Sequence, residues 1–501
     1  MTQLADNPAV TTRSKLRLRE KLLFKALALT FQIANRLPDQ SIAAALAVFE
    51  RLTTNPTYKF HAAALRRNRK EPREGHGLFW RGLREVHPRV QARLAETMLG
   101  RHHLWGRRRR RYLWDHGAVV PFLILVSPTM RCNLRCPGCY AGEYGHEDDL
   151  PTEVFDRVIA EAKDVGVHMM ILLGGEPMVY RPLMDLFAKH PDTVFMMFTN
   201  GTLITEPVAR EMRRLGNVVP IYSLEGFEED TDARRGQGTF QKVMQAMDFS
   251  RKYGLLFGFS SMLTRENLET VIGDPFNDML VQKGAIMGWH FLYMPVGRDP
   301  DLSLMPTPEQ RERMRTHGAN RIRAEKPLFV ADFWNDAPWV GGCIAGGRQY
   351  IHINSYGDVE PCIFCHFATD NVKEKNLFEC LQSPYFKAIQ ARQPYNENLL
   401  RPCMLIDHPH VFRDLYKEYR PHPTHPGAED MVGSLVPTLN RYSQEAGAIL
   451  DRAWREDFVE KGFVPPVSWG GPKIDVSGNG HRKEEGIPGK QAPETPPVQT
   501  K

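Results

Sequence analysis

Cys132, Cys136 and Cys139 stand in Arg131-Cys132-Asn133-Leu134-Arg135-Cys136-Pro137-Gly138-Cys139-Tyr140, separated by three and then two residues. Three thiolates this close in sequence can reach three corners of an iron–sulfur cube, and with no fourth cysteine nearby one iron stays open to a ligand. Zinc is the alternative occupant, but structural zinc takes four protein ligands.

A second group follows. Cys343 is succeeded by thirteen residues, Gly357, four more residues and Cys362, with Cys365 and Cys403 completing a set of four. Gly357, within Asn354-Ser355-Tyr356-Gly357-Asp358, predicts a turn between two short strands that brings thiolates together. Zinc or an iron–sulfur cluster would satisfy this set. His366 is either a substitute ligand or a structural residue. Cys380, in Leu377-Phe378-Glu379-Cys380-Leu381, reads as a buried apolar position on an amphipathic helix. All eight cysteines fall between 132 and 403, and in a reducing compartment such a group ligates metal rather than forming disulfides.

The elements that must position these thiols begin at Pro121, where short apolar runs alternate with amphipathic stretches. Strands are expected at 121–127, 168–173, 193–199, 217–223, 255–263 and 286–293. Helices are expected at 152–165, 180–189, 205–215, 239–253 and 266–282. Six strand–helix repeats predict a partial barrel of parallel strands with its chemistry at the carboxyl ends, and the first cysteines fall in the loop after the first strand. Gly174-Gly175-Glu176-Pro177 ends the second strand, Thr199-Asn200-Gly201 the third and Ser223-Leu224-Glu225-Gly226 the fourth. Asp232, Arg235-Gly236 and Gly238-Thr239-Phe240 follow. Each segment alone could simply close a strand.

In this order and spacing, residues 121–298 resemble the radical S-adenosylmethionine superfamily. The resemblance implies an α/β fold with a partial (βα)6 TIM-like barrel, and a four-iron, four-sulfur cluster on Cys132, Cys136 and Cys139. It implies that Tyr140, Gly174, Gly175, Glu176, Pro177, Asn200, Ser223, Glu225 and Arg235 contact S-adenosylmethionine, the Glu176 carboxylate facing the methionine ammonium. A reductant such as flavodoxin or ferredoxin would supply the electron that cleaves S-adenosylmethionine. The resulting 5′-deoxyadenosyl radical abstracts hydrogen from an unactivated carbon. Tyr293-Met294-Pro295 lies where adenine neighbours are expected, although core packing accounts for it equally well. The second group is similar to the opening of SPASM and twitch domains. A full SPASM pattern has seven cysteines, including a C-x2-C-x5-C-x3-C run that is absent, so one auxiliary four-iron cluster is expected on Cys343, Cys362, Cys365 and Cys403.

With 501 residues, 42% of them hydrophobic, the chain can bury a core and divide into several units. These are expected to be a basic helical extension (1–118), the barrel (119–298), the auxiliary domain (299–410), C-terminal helices (411–465) and a disordered tail (466–501). Residues 1–120 hold 24 Lys and Arg against 9 Asp and Glu, whereas the remainder holds 41 against 50. Helical spacing over 14–37 and 41–53, and the Arg107–Arg111 run between Trp105 and Trp114, suit an anionic membrane surface or nucleic acid. A basic face docked on the acidic remainder is the alternative. The stretch Leu22 to Ala34 is too short to span a bilayer, and no secretory signal is evident, so a cytoplasmic, at most peripheral, location is expected. The substrate is unidentified, and the basic amphipathic arm favours a lipid-like one. RNA or peptide modification, or a non-catalytic iron–sulfur or zinc protein, are the competing readings. The strand-end motifs argue against the last.

Overall fold

Six apolar runs form strands where the pattern places them: β1 (Leu123–Val126), β2 (Met169–Leu172), β3 (Val194–Thr199), β4 (Val218–Ser223), β5 (Gly258–Leu263) and β6 (Met287–Leu292). The computed structural model describes residues 16–52, 59, 62–63, 65–66, 77–142 and 149–465. Neighbouring strands in this series pair in parallel. Two runs beyond residue 300 extend both edges: β7 (Phe329–Asp332), in a stretch expected to be irregular, joins β6, and β8 (Tyr350–Ile353), the first of the two short strands expected around Gly357, joins β1, both in parallel. β9 (Val359–Glu360) folds back antiparallel on β8 around Gly357, whose φ of 86° suits glycine. The sheet order is β7-β6-β5-β4-β3-β2-β1-β8-β9. It therefore crosses the boundary expected at residue 298. Runs of four residues carry too little periodicity to be told from loop by pattern alone.

Alternation along the strands sorts side chains to two faces. Ile124, Val126, Met170 and Leu172 are buried in the core that holds the helices. Leu125, Met169, Ile171 and Trp289 form a separate inner cluster. The sheet curls enough that Leu125 of β1, Trp289 of β6, Ala331 of β7 and Tyr350 of β8 line one cavity. Helices Thr152–Asp164, Leu183–Lys189, Glu206–Leu215 and Thr239–Lys252 cover the outside. The helix expected over 266–282 is two, Leu268–Ile272 and Asp274–Lys283, because Gly273 and Pro275 interrupt it.

The basic extension closes the amino-terminal end of the barrel. Arg81 donates to Ala285 O at 2.8 Å and Pro327 O at 2.7 Å, just before β6 and β7. His87 N–H donates to Gly254 O at 2.7 Å, ahead of β5. Arg109 Nε reaches Asp164 O at 3.2 Å and Arg110 donates to Gly166 O, both ahead of β2. Trp105 packs edge-on against His168. Arg109 and Arg110 are thus buried, while Arg107, Arg108 and Arg111 are exposed. This corrects the reading of the whole run as an anion-facing stripe: its two central arginines satisfy backbone carbonyls that the barrel would otherwise bury unpaired. Among the described residues no helix is long and apolar enough to cross a membrane. The tail expected to be disordered lies outside the described residues.

Removing a buried guanidinium that satisfies buried carbonyls should cost about 2–3 kcal/mol. Arg110→Ala should lower unfolding stability by that amount in anaerobic denaturant titrations. Arg107→Ala, on the exposed side of the run, should cost under about 0.5 kcal/mol. Equal effects would show that the run's burial does not matter.

Candidate active site

The loop after β1 is held in place by the loop after β2. Gly175 N–H donates to Thr129 O at 3.0 Å and Glu176 N–H to Arg131 O at 2.9 Å. A Cβ on Gly174 would lie 2.2 Å from Thr129 O, and one on Gly175 2.2 Å from Arg131 O. The two glycines are therefore required for contact between the backbones of the two loops, in addition to lining the cavity where a ligand contact is expected of them. Asn200, after β3, donates to Asn133 Oδ1 at 2.8 Å and approaches Cys132 Sγ at 3.8 Å. Leu134 N–H points at the same sulfur at 3.4 Å. Cys132, Cys136 and Cys139 line one cavity of about 160 Å³ together with Tyr140, Gly174, Gly175, Asn200, Ser223 and Arg235. The Tyr140 hydroxyl accepts the Gly174 N–H at 3.3 Å. Met294 also lines the cavity, whereas Tyr293 is buried beneath Gly138 and accepts the Asp301 N–H at 2.8 Å.

Both motif carboxylates stand behind the cavity wall. Glu176 is fully buried, and its oxygens accept Met178 N–H at 3.1 Å, the Thr199 hydroxyl at 2.7 Å and Asn200 N–H at 2.7 Å. Burial pushes its pKa up, opposed by those donors. It clamps the β2 loop to the β3 loop, and its lone pairs do not line the cavity. Pro177 is buried at the start of the short turn Pro177–Val179. Glu225 accepts from Arg234 at 2.6 Å and from Arg235 at 2.6 and 2.8 Å, and its other oxygen accepts Met262 N–H at 3.2 Å. Burial pushes Glu225 up, but the two guanidiniums hold it below the ordinary carboxylate range. Burial likewise raises the Cys136 thiol, with Arg235 and Arg234 working against it. A cation backed by a buried carboxylate therefore faces the thiols and favours their ionised form. Asp232 accepts Gly238 N–H at 2.6 Å and Phe240 N–H at 2.8 Å, capping the helix Thr239–Lys252.

The second group lies beside a larger chamber of about 310 Å³, lined by Cys343, Cys362 and Cys403. Cys365 N–H bonds to Cys362 O at 2.9 Å, and Tyr350 Oη lies 3.1 Å from Cys362 Sγ. Burial pushes Cys362 up to about 12, with the Cys343 thiol adding to the effect. Cys365 and Cys403 are raised well above the ordinary thiol range, again by burial first and after it by the Cys362 thiol for Cys365 and by the Asp407 carboxylate for Cys403. The Cys403 loop is anchored by a buried ion pair. Asp407 accepts Cys403 N–H at 3.1 Å and pairs with Arg311 at 2.5 Å. Cys380 is buried on its helix as expected. His366 is buried, lies 3.9 Å from Glu360 and stacks on Tyr140.

Several lining residues were not singled out from sequence. Arg234 adjoins a motif residue, and Ser260, Ser261 and Met262 end β5, so a strand-end rule could have found them. Ile363 and Phe364, inside the Cys362–Cys365 spacing, line both cavities. No local pattern announces that, since it depends on β8 pairing with β1.

A parallel half-barrel with three thiols after its first strand defines a class of enzymes that bind a cluster and S-adenosylmethionine at the carboxyl ends of the strands. Residues 126–273 match the Radical SAM superfamily and residues 343–404 the SPASM iron–sulfur cluster-binding domain. The chain thus carries a radical SAM domain followed by a SPASM region, and the cofactors of those domains are a four-iron, four-sulfur cluster with S-adenosylmethionine and auxiliary iron–sulfur. It is similar to the AdoMet-dependent heme synthase of Nitratidesulfovibrio vulgaris, 26% identical over 56% of this chain and 84% of that one. Similarity to the PqqA peptide cyclase of Bradyrhizobium diazoefficiens is 25% over 48% of this chain and 67% of that one. Streptococcus suis SuiB bound to S-adenosylmethionine shares the fold, with a TM-score of 0.51 and 19% identity over 63% of this chain and 77% of that one.

Among the described residues no three His, Cys, Asp or Glu side chains converge tightly enough to hold a single metal ion, but three thiols line the first cavity and three of the four second-group thiols line the chamber, and thiols around a space are the donor chemistry that an iron–sulfur cluster takes. Glu176→Ala leaves three buried donors unmatched, and at about 1–3 kcal/mol each it should lower thermal stability markedly. Glu176→Gln, which keeps an acceptor, should recover part of the loss in the same melting experiment. Unchanged melting of the alanine variant would remove the clamp role.

Proposed function

We propose that Cys132, Cys136 and Cys139 hold the radical SAM cluster, that the adjoining cavity receives S-adenosylmethionine, and that the apolar chamber takes an uncharged, hydrocarbon-like part of the substrate. The chamber carries this reading. Its lining residues include no Asp, Glu, Lys, Arg or His, and it shares Leu173, Phe198 and Phe291 with the first cavity. A charged group brought into such a space would lose its hydration without a partner. When bound, the cluster and S-adenosylmethionine supply hydrogen-abstraction chemistry at an unactivated carbon.

The chain's own residues do the rest. Arg235, held by Glu225, complements a carboxylate of the cofactor. Ser223 and Ser260, with hydroxyls 3.4 Å apart, suit vicinal ribose hydroxyls. Tyr140 and Met294 offer apolar surface to a base. Phe198 and Phe291 exclude water where the two cavities meet and hold the substrate carbon beside the cofactor site. The second thiols, Cys343, Cys362, Cys365 and Cys403, hold one auxiliary cluster at the far wall. The heme synthase relative is named for a tetrapyrrole, whose carboxylates would find no cation in this chamber. An apolar part of a lipid or of a peptide fits better, and the absence of charge favours lipid.

Reconstituted protein should contain about eight irons per chain, falling to about four when Cys343 or Cys362 becomes Ala, as two cubane clusters require. Cys132→Ala should abolish 5′-deoxyadenosine formation with dithionite and S-adenosylmethionine, and surviving activity would refute the assignment. With parent protein, an organic-solvent extract of cells should raise 5′-deoxyadenosine formation, and an aqueous extract should not. Ala331→Phe, which fills the chamber, should remove that increase and leave the rate without extract unchanged. Stimulation by the aqueous extract alone would overturn the apolar reading.

A further inference from the structure

The first two helices, Leu18–Arg36 and Asp39–Leu52, leave unusual apolar surface uncovered. In the first helix only Phe24 is buried, against Gly100. Leu18, Leu22, Leu29, Ile33, Phe49 and Leu52 are 49–76% exposed. Single exposed leucines need no explanation, but contiguous ones do. At about 100° per residue, Leu18, Leu22, Leu29 and Ile33 fall within about 60° of arc on the face opposite Phe24. Arg36 lies on the same arc, Lys25, Lys21 and Arg19 flank it, and all four are exposed.

We propose that this helical pair docks on the headgroup–acyl boundary of an anionic phospholipid bilayer. An apolar arc bordered by long basic side chains is the pattern of a helix lying in that boundary, leucines entering the acyl layer while lysine and arginine reach back to phosphate. The charge distribution points the same way. Residues 1–120 carry a net positive charge and the remainder a net negative one, so an anionic membrane attracts this end and repels the other. Nucleic acid would use the basic residues and leave the leucines unpaired with anything. A second copy would bury the leucines but bring like charges together.

The experiment uses the full, reconstituted chain without substrate, so its outcome is independent of the chamber. Co-sedimentation is measured with phosphatidylglycerol–phosphatidylcholine vesicles and with phosphatidylcholine vesicles, at low and high salt, beside titration with a single-stranded RNA. Binding to the anionic vesicles should be at least tenfold tighter than to the neutral ones, and should weaken with salt without vanishing. Leu22→Ser with Leu29→Ser should weaken it at least tenfold, as should Lys21→Glu with Lys25→Glu, each with iron content and S-adenosylmethionine cleavage unchanged. The proposal is overturned by failure to bind either vesicle, by RNA binding without vesicle binding, or by a dimer in sedimentation that the leucine variants dissociate. Variants that bind vesicles like the parent overturn it as well.

Discussion

Strand β1 is hydrogen-bonded along both edges, to β2 and to β8, and this double pairing fixes where both cysteine groups stand. The loop leaving its carboxyl end carries Cys132, Cys136 and Cys139. Its other edge takes Tyr350–Ile353, so the hairpin that carries Cys362 and Cys365 is registered to the same four residues. Parallel strands are buried on both faces and read as continuous apolar runs, as Leu123-Ile124-Leu125-Val126 does. Below the site, Ser127 Oγ lies 2.7 Å from His352 Nε2, and His352 Nδ1 lies 2.6 Å from Glu360. The end of β1 is thereby tied to the β8–β9 hairpin by a buried polar chain that must be fully paired to be tolerated.

The same economy governs charge near the thiols. The two carboxylates of the strand-end motifs are buried, and each is fully engaged: Glu176 with backbone and a hydroxyl, Glu225 with two guanidiniums. Neither faces the cavity. What the wall presents is the outward side of those pairings, namely Arg235, Asn200 and hydroxyls. A buried carboxylate would be costly alone, but as a backing it fixes a cation on the cavity wall beside the thiols.

Much of this was legible in the sequence. The barrel strands were, because each run is flanked by turn residues and followed by an amphipathic helix. The three thiols and the loops after β2, β3 and β4 were, because parallel strands in order place their ends side by side. What could not be read was function at the level of atoms. Gly174 and Gly175 serve backbone contact with the cysteine loop, Asp232 serves as a helix cap, and the Arg107–Arg111 run is split between interior and surface. Each of these depends on which non-local segment packs opposite, and spacing carries no information about that. β7 was missed, and the pairing of β8 with β1 was not foreseen, for the related reason that four-residue strands gain their place from the edge they join.

The position of Ile363 and Phe364 connects the two halves of the site. Only two residues separate Cys362 from Cys365, and the backbone bond between those cysteines forces the intervening side chains outward. They become wall to the first cavity and to the chamber at once. Whatever sets the geometry of the second thiol group therefore also sets the shape of the space beside the first. The Asp407–Arg311 pair, which anchors Cys403 from the other side, extends that dependence to the helix Pro308–His317. A SPASM region so placed shapes the chamber as directly as the barrel does, because both segments contribute side chains to its wall.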